Sequence, residues 1–222
     1  ARKLDEVGFE EMLEMAHYGA KMNPRSIELA MAYDMPIFVA SSSSDLPGTL
    51  IHRGADMDRQ VSEVRNRVRS IPTDSNVGVV NLRGVKDRPG VAASLFEPLA
   101  AADISVDEIV QNVSREGATD LSFTVRRADL VRALEVADAA VRRLGGSGVH
   151  SVGDLAKVSI VGTAMLDAPG YAATMFQVLA DEGINIEMIT TSDIRITCIV
   201  AEKRVGDAAR ALHAAFGLEK SD

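Results

Sequence analysis

Apolar and polar residues along this chain change period several times, and each change marks an element. Phe9, Met12, Leu13 and Ala16 recur at helical spacing with Glu10, Glu11 and Glu14 between them, which predicts an amphipathic helix whose carboxylates face solvent. Gly19 ends it. Asn23 reads as the N-cap of a second helix, with Pro24 in its first turn and Ile27, Ala30 and Met31 as its buried face. Pro36 opens the run from Ile37 to Ala40, short enough to be a buried parallel strand. Ser41 to Gly48 reads as a loop, and Thr49 to Ile51 as a short strand after it. Two helices and two short strands cannot bury a core alone. Residues 1–52 are therefore expected to be the end of a larger α/β domain whose beginning is absent, with residues 53–67, polar and charged, as a linker.

From about Val77 onward the pattern repeats. Pro89-Gly90 recurs as Pro169-Gly170, Phe96 as Phe176, Leu99 as Leu179 and Ile104 as Ile184, each 80 positions later. The helical stripe Ala92, Leu95, Phe96, Leu99 is matched by Ala172, Met175, Phe176, Leu179. Alternating strands follow: Ile184, Ile186 and Met188 after the second of these helices, then Leu121, Phe123, Val125 in one copy and Ile194, Ile196, Cys198, Val200 in the other. A last helix closes each copy, through Leu130, Leu134, Ala137, Val141 and Leu144, and through Val205, Ala208, Ala209, Leu212 and Phe216. Each copy thus reads β-α-β-β-α, which a fourth strand completes to the ferredoxin-like order of an α+β fold. The first copy, residues 77–153, finds that strand near Val149 to Val152. The second, residues 156–217, has only a polar tail left after its last helix, so residues 68–72 are expected to cross over and complete its sheet, interleaving the two.

Composition narrows the function. Lys and Arg number 24 against 32 Asp and Glu, a net charge of −8 that argues against gripping a nucleic-acid backbone. A single cysteine supports neither an internal disulfide nor a zinc cluster, and Cys198, inside an apolar strand, reads as a buried inert thiol. No apolar run is long enough to cross a bilayer and no signal peptide is seen, so the expectation is a cytoplasmic protein without a membrane partner. The chain opens on Ala1, which suggests a fragment or a processed subunit. His17, His52, His150 and His213 lack metal-site spacing, and no phosphate-cradling glycine loop is present. No catalytic set and no metal site emerge.

The positions with chemical promise lie where strand meets helix. Lys86-Asp87-Arg88-Pro89-Gly90 and Leu166-Asp167-Ala168-Pro169-Gly170 each open a helix, whose unpaired N–H groups and positive dipole end suit a carboxylate. Asp87 could hold an ammonium beside it. Gln111, Asn112 and Ser114 in one copy, and Asn185, Thr190, Thr191 and Ser192 in the other, could complete a site for a free amino acid. The same residues could equally cap helices and fasten turns.

Several runs, in order, carry a resemblance. Residues 9–51, through Phe9 to Ala16, Gly19-Ala20-Lys21, Pro24 to Glu28 and Pro47 to Ile51, resemble the end of the amino-acid-kinase domain of the aspartokinase family. Asp87 to Gly90, Gln111 to Ser114, Thr119 to Thr124 and Thr190 to Ile196 resemble its tandem ACT regulatory domains. The resemblance implies an enzyme that phosphorylates aspartate with ATP and magnesium toward lysine, threonine, methionine and diaminopimelate, with lysine or threonine as feedback effectors. It places Lys21 at the family's nucleotide-contacting lysine. Asp87, Gly90, Ala92, Gln111, Asn185 and Ile186 fall on positions lining an effector pocket. Ser114, Thr119, Ala172 and Ser192 match positions that tune feedback or effector contact. The family's ATP- and aspartate-binding start is missing, so this chain alone is expected to hold no cofactor and to be inactive, partnered by a catalytic domain or subunit and dimeric through its ACT domains. Three readings remain open: part of a full kinase, a natural regulatory subunit, or a ligand-independent ACT dimerisation module.

Overall fold

A computed structural model describes residues 3–17, 19–44, 46–53, 68–112, 117–162 and 169–219. The chain divides into two compact units, one of residues 1–74, 157–200 and 204–222, the other of residues 75–156 and 201–203.

The first unit begins with β1 (Glu6–Val7), α1 (Phe9–His17), α2 (Pro24–Ala32), β2 (Ile37–Val39) and β3 (Thr49–Ile51). Asn23 caps α2 through its side-chain oxygen, which accepts from the Arg25 N–H at 3.0 Å. Val7, Phe9, Met15, Ile27, Ala30 and Ile51 form a small core. Two expectations for this stretch fail. Ile37 to Val39 pairs antiparallel with β3 at the rim of a three-stranded sheet in the order β1-β3-β2, and Phe38 is 65% exposed, so this strand is neither parallel nor buried. β1, a two-residue strand too short for any periodicity, supplies the parallel pairing instead. Arg53 is tied back to this stretch by bonds to the Asp34 carboxylate and the Met31 carbonyl. The remainder of the expected linker, residues 54–67, lies outside the described residues.

The second unit consists of β4 (Thr73–Lys86, from Ser75 onward), α3 (Val91–Ala101), β5 (Val106–Gln111), β6 (Ala118–Val125), α4 (Leu130–Leu144) and the first part of β7 (Gly148–Val161). Its strands lie in the order β5-β6-β4-β7. β6 runs antiparallel to both neighbours, with Leu82 facing Leu121 and Val80 facing Phe123 on β4. Alternate residues of these strands, Val80, Leu82, Leu121 and Phe123, are buried against Leu95 and Leu99 of α3 and Ala133, Ala137 and Ala140 of α4. Phe96 meets Phe123 edge to face at 5.5 Å between ring centres.

The rest of the first unit repeats the order with the last residues of β7, then α5 (Tyr171–Asp181), β8 (Met188–Ser192), β9 (Arg195–Ala201) and α6 (Val205–Ala215). Strand pairing here begins only at Met188. Ile184, buried, and Ile186 precede the strand rather than belonging to it, which shortens the alternating element expected there. Residues 69–72 run antiparallel to the end of β7: the Val161 N–H donates to the Ser70 carbonyl at 3.1 Å and the Ser159 N–H to the Pro72 carbonyl at 3.0 Å. Val68 joins Val158, Ile160, Met175, Leu179, Cys198, Val200 and Leu212 in the core.

Strand alternation sets Lys157, Ser159 and Val161 on the opposite side of β7 from Val158 and Ile160. Thr197 and Arg195 of β9 join Ser159 on that side, and α1 meets Arg195 and Arg69. Glu11 is fully buried with an oxygen 4.0 Å from Arg69 Nε, and Glu14 Oε2 lies 3.1 Å from Arg195 Nε. The carboxylates expected on a solvated helix face are therefore buried or half-buried against arginines. Only Glu10 of the three is exposed.

Candidate binding site at the strand-to-helix corners

In the second unit, the corner between β4 and α3 gathers several of the expected residues. Gly90, with φ of 91°, is the N-cap of α3 and offers no side-chain acceptor to its first N–H groups. A residue with a β-carbon adopts this backbone at a cost, although a Cβ there would meet nothing within 4 Å, so the glycine serves the turn and not the packing. Asp87 is exposed, and its N–H donates to the Gly117 carbonyl at 2.9 Å. Gln111 pairs with Leu121 at the end of β5, and the Asn112 N–H donates to the Asp120 carbonyl at 3.1 Å. Thr119 is 5% exposed, and its hydroxyl donates to the Asn112 carbonyl at 2.7 Å. Gln111, Asn112 and Thr119 thus share the end of the β5–β6 pair, while Asp87 joins it through Gly117. Ala92 sits exposed in the first turn of α3. Ser114 lies outside the described residues.

The matching corner of the first unit has the same build. Gly170, φ 110°, is the N-cap of α5 without a side-chain cap, and Ala172 is half-buried in the first turn. Asn185 is exposed and donates from Nδ2 to Glu187 at 2.8 Å, while Ile186 packs against the core. Ser192 ends β8 with its hydroxyl buried and without a hydrogen-bond partner. Leu166, Asp167 and Ala168 lie outside the described residues. Lys21 is exposed in a bend between α1 and α2, in the same unit. One exposed cation is not a phosphate cradle, so these residues do not by themselves fit a nucleotide with its magnesium.

Cys198 is buried in β9, its thiol pushed up to about 12 by desolvation and its Sγ 4.0 Å from Met175 Sδ. It is an inert core residue, as its place in an apolar strand implied. No group of three or more His, Cys, Asp or Glu is placed to hold a metal among the described residues. No helix among them is long and apolar enough to cross a membrane. What the pattern did not reveal is the polar set Glu11, Glu14, Arg69 and Arg195. The one available signal was Arg195 itself, a charged residue inside the apolar run Ile194 to Val200.

Two βαββα copies on ferredoxin-like sheets, each opening its first helix on a Pro-Gly corner, define a tandem α+β protein. The ACT domain family model matches residues 80–141 and 158–216, and the chain belongs to that family. It is 41% identical over 220 residues to an aspartokinase of Pseudomonas aeruginosa, a match that takes in 99% of this chain and 53% of that protein. The chain spans about half the length of the curated relatives it matches. A solved structure of aspartokinase alpha and beta subunits shares 42% identity over 68% of this chain and 99% of that one, with a TM-score of 0.64. E. coli aspartokinase III in complex with lysine and aspartate, in the T-state, shares 25% identity over 97% of this chain and 46% of that one, with a TM-score of 0.69. The aspartokinase resemblance read from the motifs therefore holds along nearly the whole chain.

Proposed function

We propose that this chain is the amino-acid-sensing, regulatory portion of an aspartate kinase. In this reading it binds lysine, threonine or both at its strand-to-helix corners and so adjusts phosphoryl transfer from ATP to aspartate. The observation that carries the reading is the 42% identity to a solved aspartokinase subunit that this chain covers over 99% of its length. The corners support it chemically. The uncapped first turns of α3 and α5 present N–H groups and the positive end of a helix dipole to an α-carboxylate. Asp87, exposed beside Gly90, offers a counter-charge to an ammonium. Gln111, Asn112 and Thr119 at one corner, and Asn185, Ile186 and Ser192 at the other, would set which side chain is accepted, with Ala92, Ala172 and Ser114 adjoining.

ATP and magnesium would be bound by the remaining half of the kinase, as a domain or as a separate catalytic subunit, with Lys21 contributing one nucleotide contact. Ligand binding would act by shifting populations between two arrangements, and about 1–3 kcal/mol of coupling, a factor of roughly 5–150 in affinity, suffices for feedback. Isothermal titration with lysine and threonine, singly and together, is the direct test. Saturable heat with at least one amino acid is expected. The absence of heat with both would sink the sensing reading.

A specific observation also favours self-association. β5 is an edge strand of its sheet and carries Ile109 half-exposed, a surface that strand pairing with a second copy would cover. A homodimer is therefore expected by sedimentation. If the dimer forms and neither amino acid binds, the chain is a ligand-independent dimerisation module instead.

A further inference from the structure

Ser192 and Arg195 stand opposite each other where β8 turns into β9. From this turn a continuous set of polar contacts leads away from the corner. Arg195 Nε lies 3.1 Å from Glu14 Oε2 on α1, and its Nη1 donates to Thr197 Oγ1 at 3.0 Å. That hydroxyl shares a 2.7 Å hydrogen bond with Ser159 Oγ on β7. Three residues before Glu14, Glu11 lies 4.0 Å from Arg69 Nε, and Arg69 Nη2 donates to the Glu6 carbonyl at 3.1 Å. Two cation–carboxylate pairs thus link α1 to the sheet. Arg195, Thr197, Ser159 and Glu11 are all buried.

Ion pairs of this kind contribute little net stability, because desolvation offsets most of their attraction, so they hold α1 in place without locking it there. A contact of small net stability suits an element that must hold one of two positions. The segment after α1 is hydrogen-bonded back to its last turn. The Ala20 N–H donates to the Met15 carbonyl at 2.8 Å and the Met22 N–H to the Ala20 carbonyl at 2.7 Å. Lys21 sits in this segment.

We infer that the Glu14–Arg195 pair is the positioning contact that passes ligand occupancy at the β8 end, beside Ser192, to α1 and the Lys21 segment. The inference rests on the sensing reading above and deepens it. Ligand near Ser192 shifts the turn holding Arg195, the guanidinium moves relative to Glu14, and α1 follows.

The test uses the 222-residue chain, titrated with lysine and with threonine, and follows amide hydrogen exchange in Phe9–His17. In the unmodified chain, saturation with the amino acid that gives heat is expected to change exchange in α1 by about fivefold or more, the low end of ordinary coupling. Glu14→Gln, nearly isosteric, and Arg195→Lys, which keeps the charge, are both expected to retain the heat of binding and the far-UV spectrum. Glu14→Gln is expected to lose the ligand-induced change in α1, and Arg195→Lys to recover part of it. A merely structural pair would instead raise exchange in α1 equally with and without ligand, leaving the ratio intact, and that outcome overturns the inference. Heat of binding with no response of α1 in the unmodified chain overturns it too, while the sensing reading survives. No heat with either amino acid removes both.

Discussion

Burial pushes the Cys198 thiol from its ordinary 9.0 up to about 12, because a thiolate among Met175 and its neighbours in the first unit's core would be desolvated without a partner. The group is neutral in the folded chain throughout the physiological range. Its folded value is raised, so whatever it contributes to stability is complete below pH 9 and is lost as pH climbs from 9 toward 12. A thiol-specific reagent at pH 8 is expected to modify Cys198 only as fast as the native chain opens, and immediately in guanidinium. Rapid stoichiometric labelling of the folded chain would contradict this. The sequence made Cys198 readable because strand alternation alone places a small apolar side chain inward. It could not do the same for Glu11 and Glu14, whose spacing on α1 is that of a wet helix face. What reverses their environment is Arg69 and Arg195, 58 and 181 positions further along the chain than Glu11 and Glu14 respectively, and no local period encodes such a pairing.

The helices and longer strands of the repeat were legible because they are periodic and present twice, whereas the short β8 begins only at Met188, past the alternation read from Ile184. The α3 stripe and the β6 alternation place Leu95, Leu99, Leu121 and Phe123 inward, and all four are buried. Phe123 has no exposed surface and meets Phe96 at 5.5 Å, so truncation there removes both transfer free energy and an edge-to-face contact. Phe123→Ala is expected to destabilise the second unit by about 3–5 kcal/mol, read from urea denaturation. A loss under about 1 kcal/mol would mean that the packing around Phe123 is looser than described. Short elements were less legible. β2 carries an apolar triplet that reads as buried, yet it pairs only at the rim with Phe38 in solvent. Burial of a three-residue strand is decided by what covers it, and nothing in Ile37 to Val39 encodes the cover. The turn chemistry was clearer, since the Pro-Gly pairs announce the left-handed glycines that open α3 and α5.

For the whole chain, the question is whether residues 1–67 are needed for the repeat to fold. Among the described residues, the cores indicate that residues 3–53 are not. The second unit buries Val80 to Val141 among its own elements, and the repeat core of the first unit is drawn from Val68 and residues beyond Val158. Among the described residues, 3–53 meet that part through the polar contact of α1, with Glu11 on Arg69 and Glu14 on Arg195. Removing them returns two guanidinium groups to water along with the hydroxyls of Ser159 and Thr197, and hydration compensates charged and hydroxyl groups far better than apolar ones. A chain of residues 68–222 is therefore expected to melt cooperatively and to keep the heat of amino-acid binding. The solved aspartokinase subunit matched over 99% of its length, which corresponds to 68% of this chain, is a chain of about that extent. Residues 1–53 alone are expected to stay unfolded, since among the described residues their core holds six buried apolar side chains and they expose Tyr33, Met35, Phe38 and Leu46. Circular dichroism melts of the two pieces decide the matter. A non-cooperative melt of residues 68–222 would mean that α1 stabilises the sheet it lies on, and the polar contact would then have to be counted as part of the fold and not as a detachable coupling element.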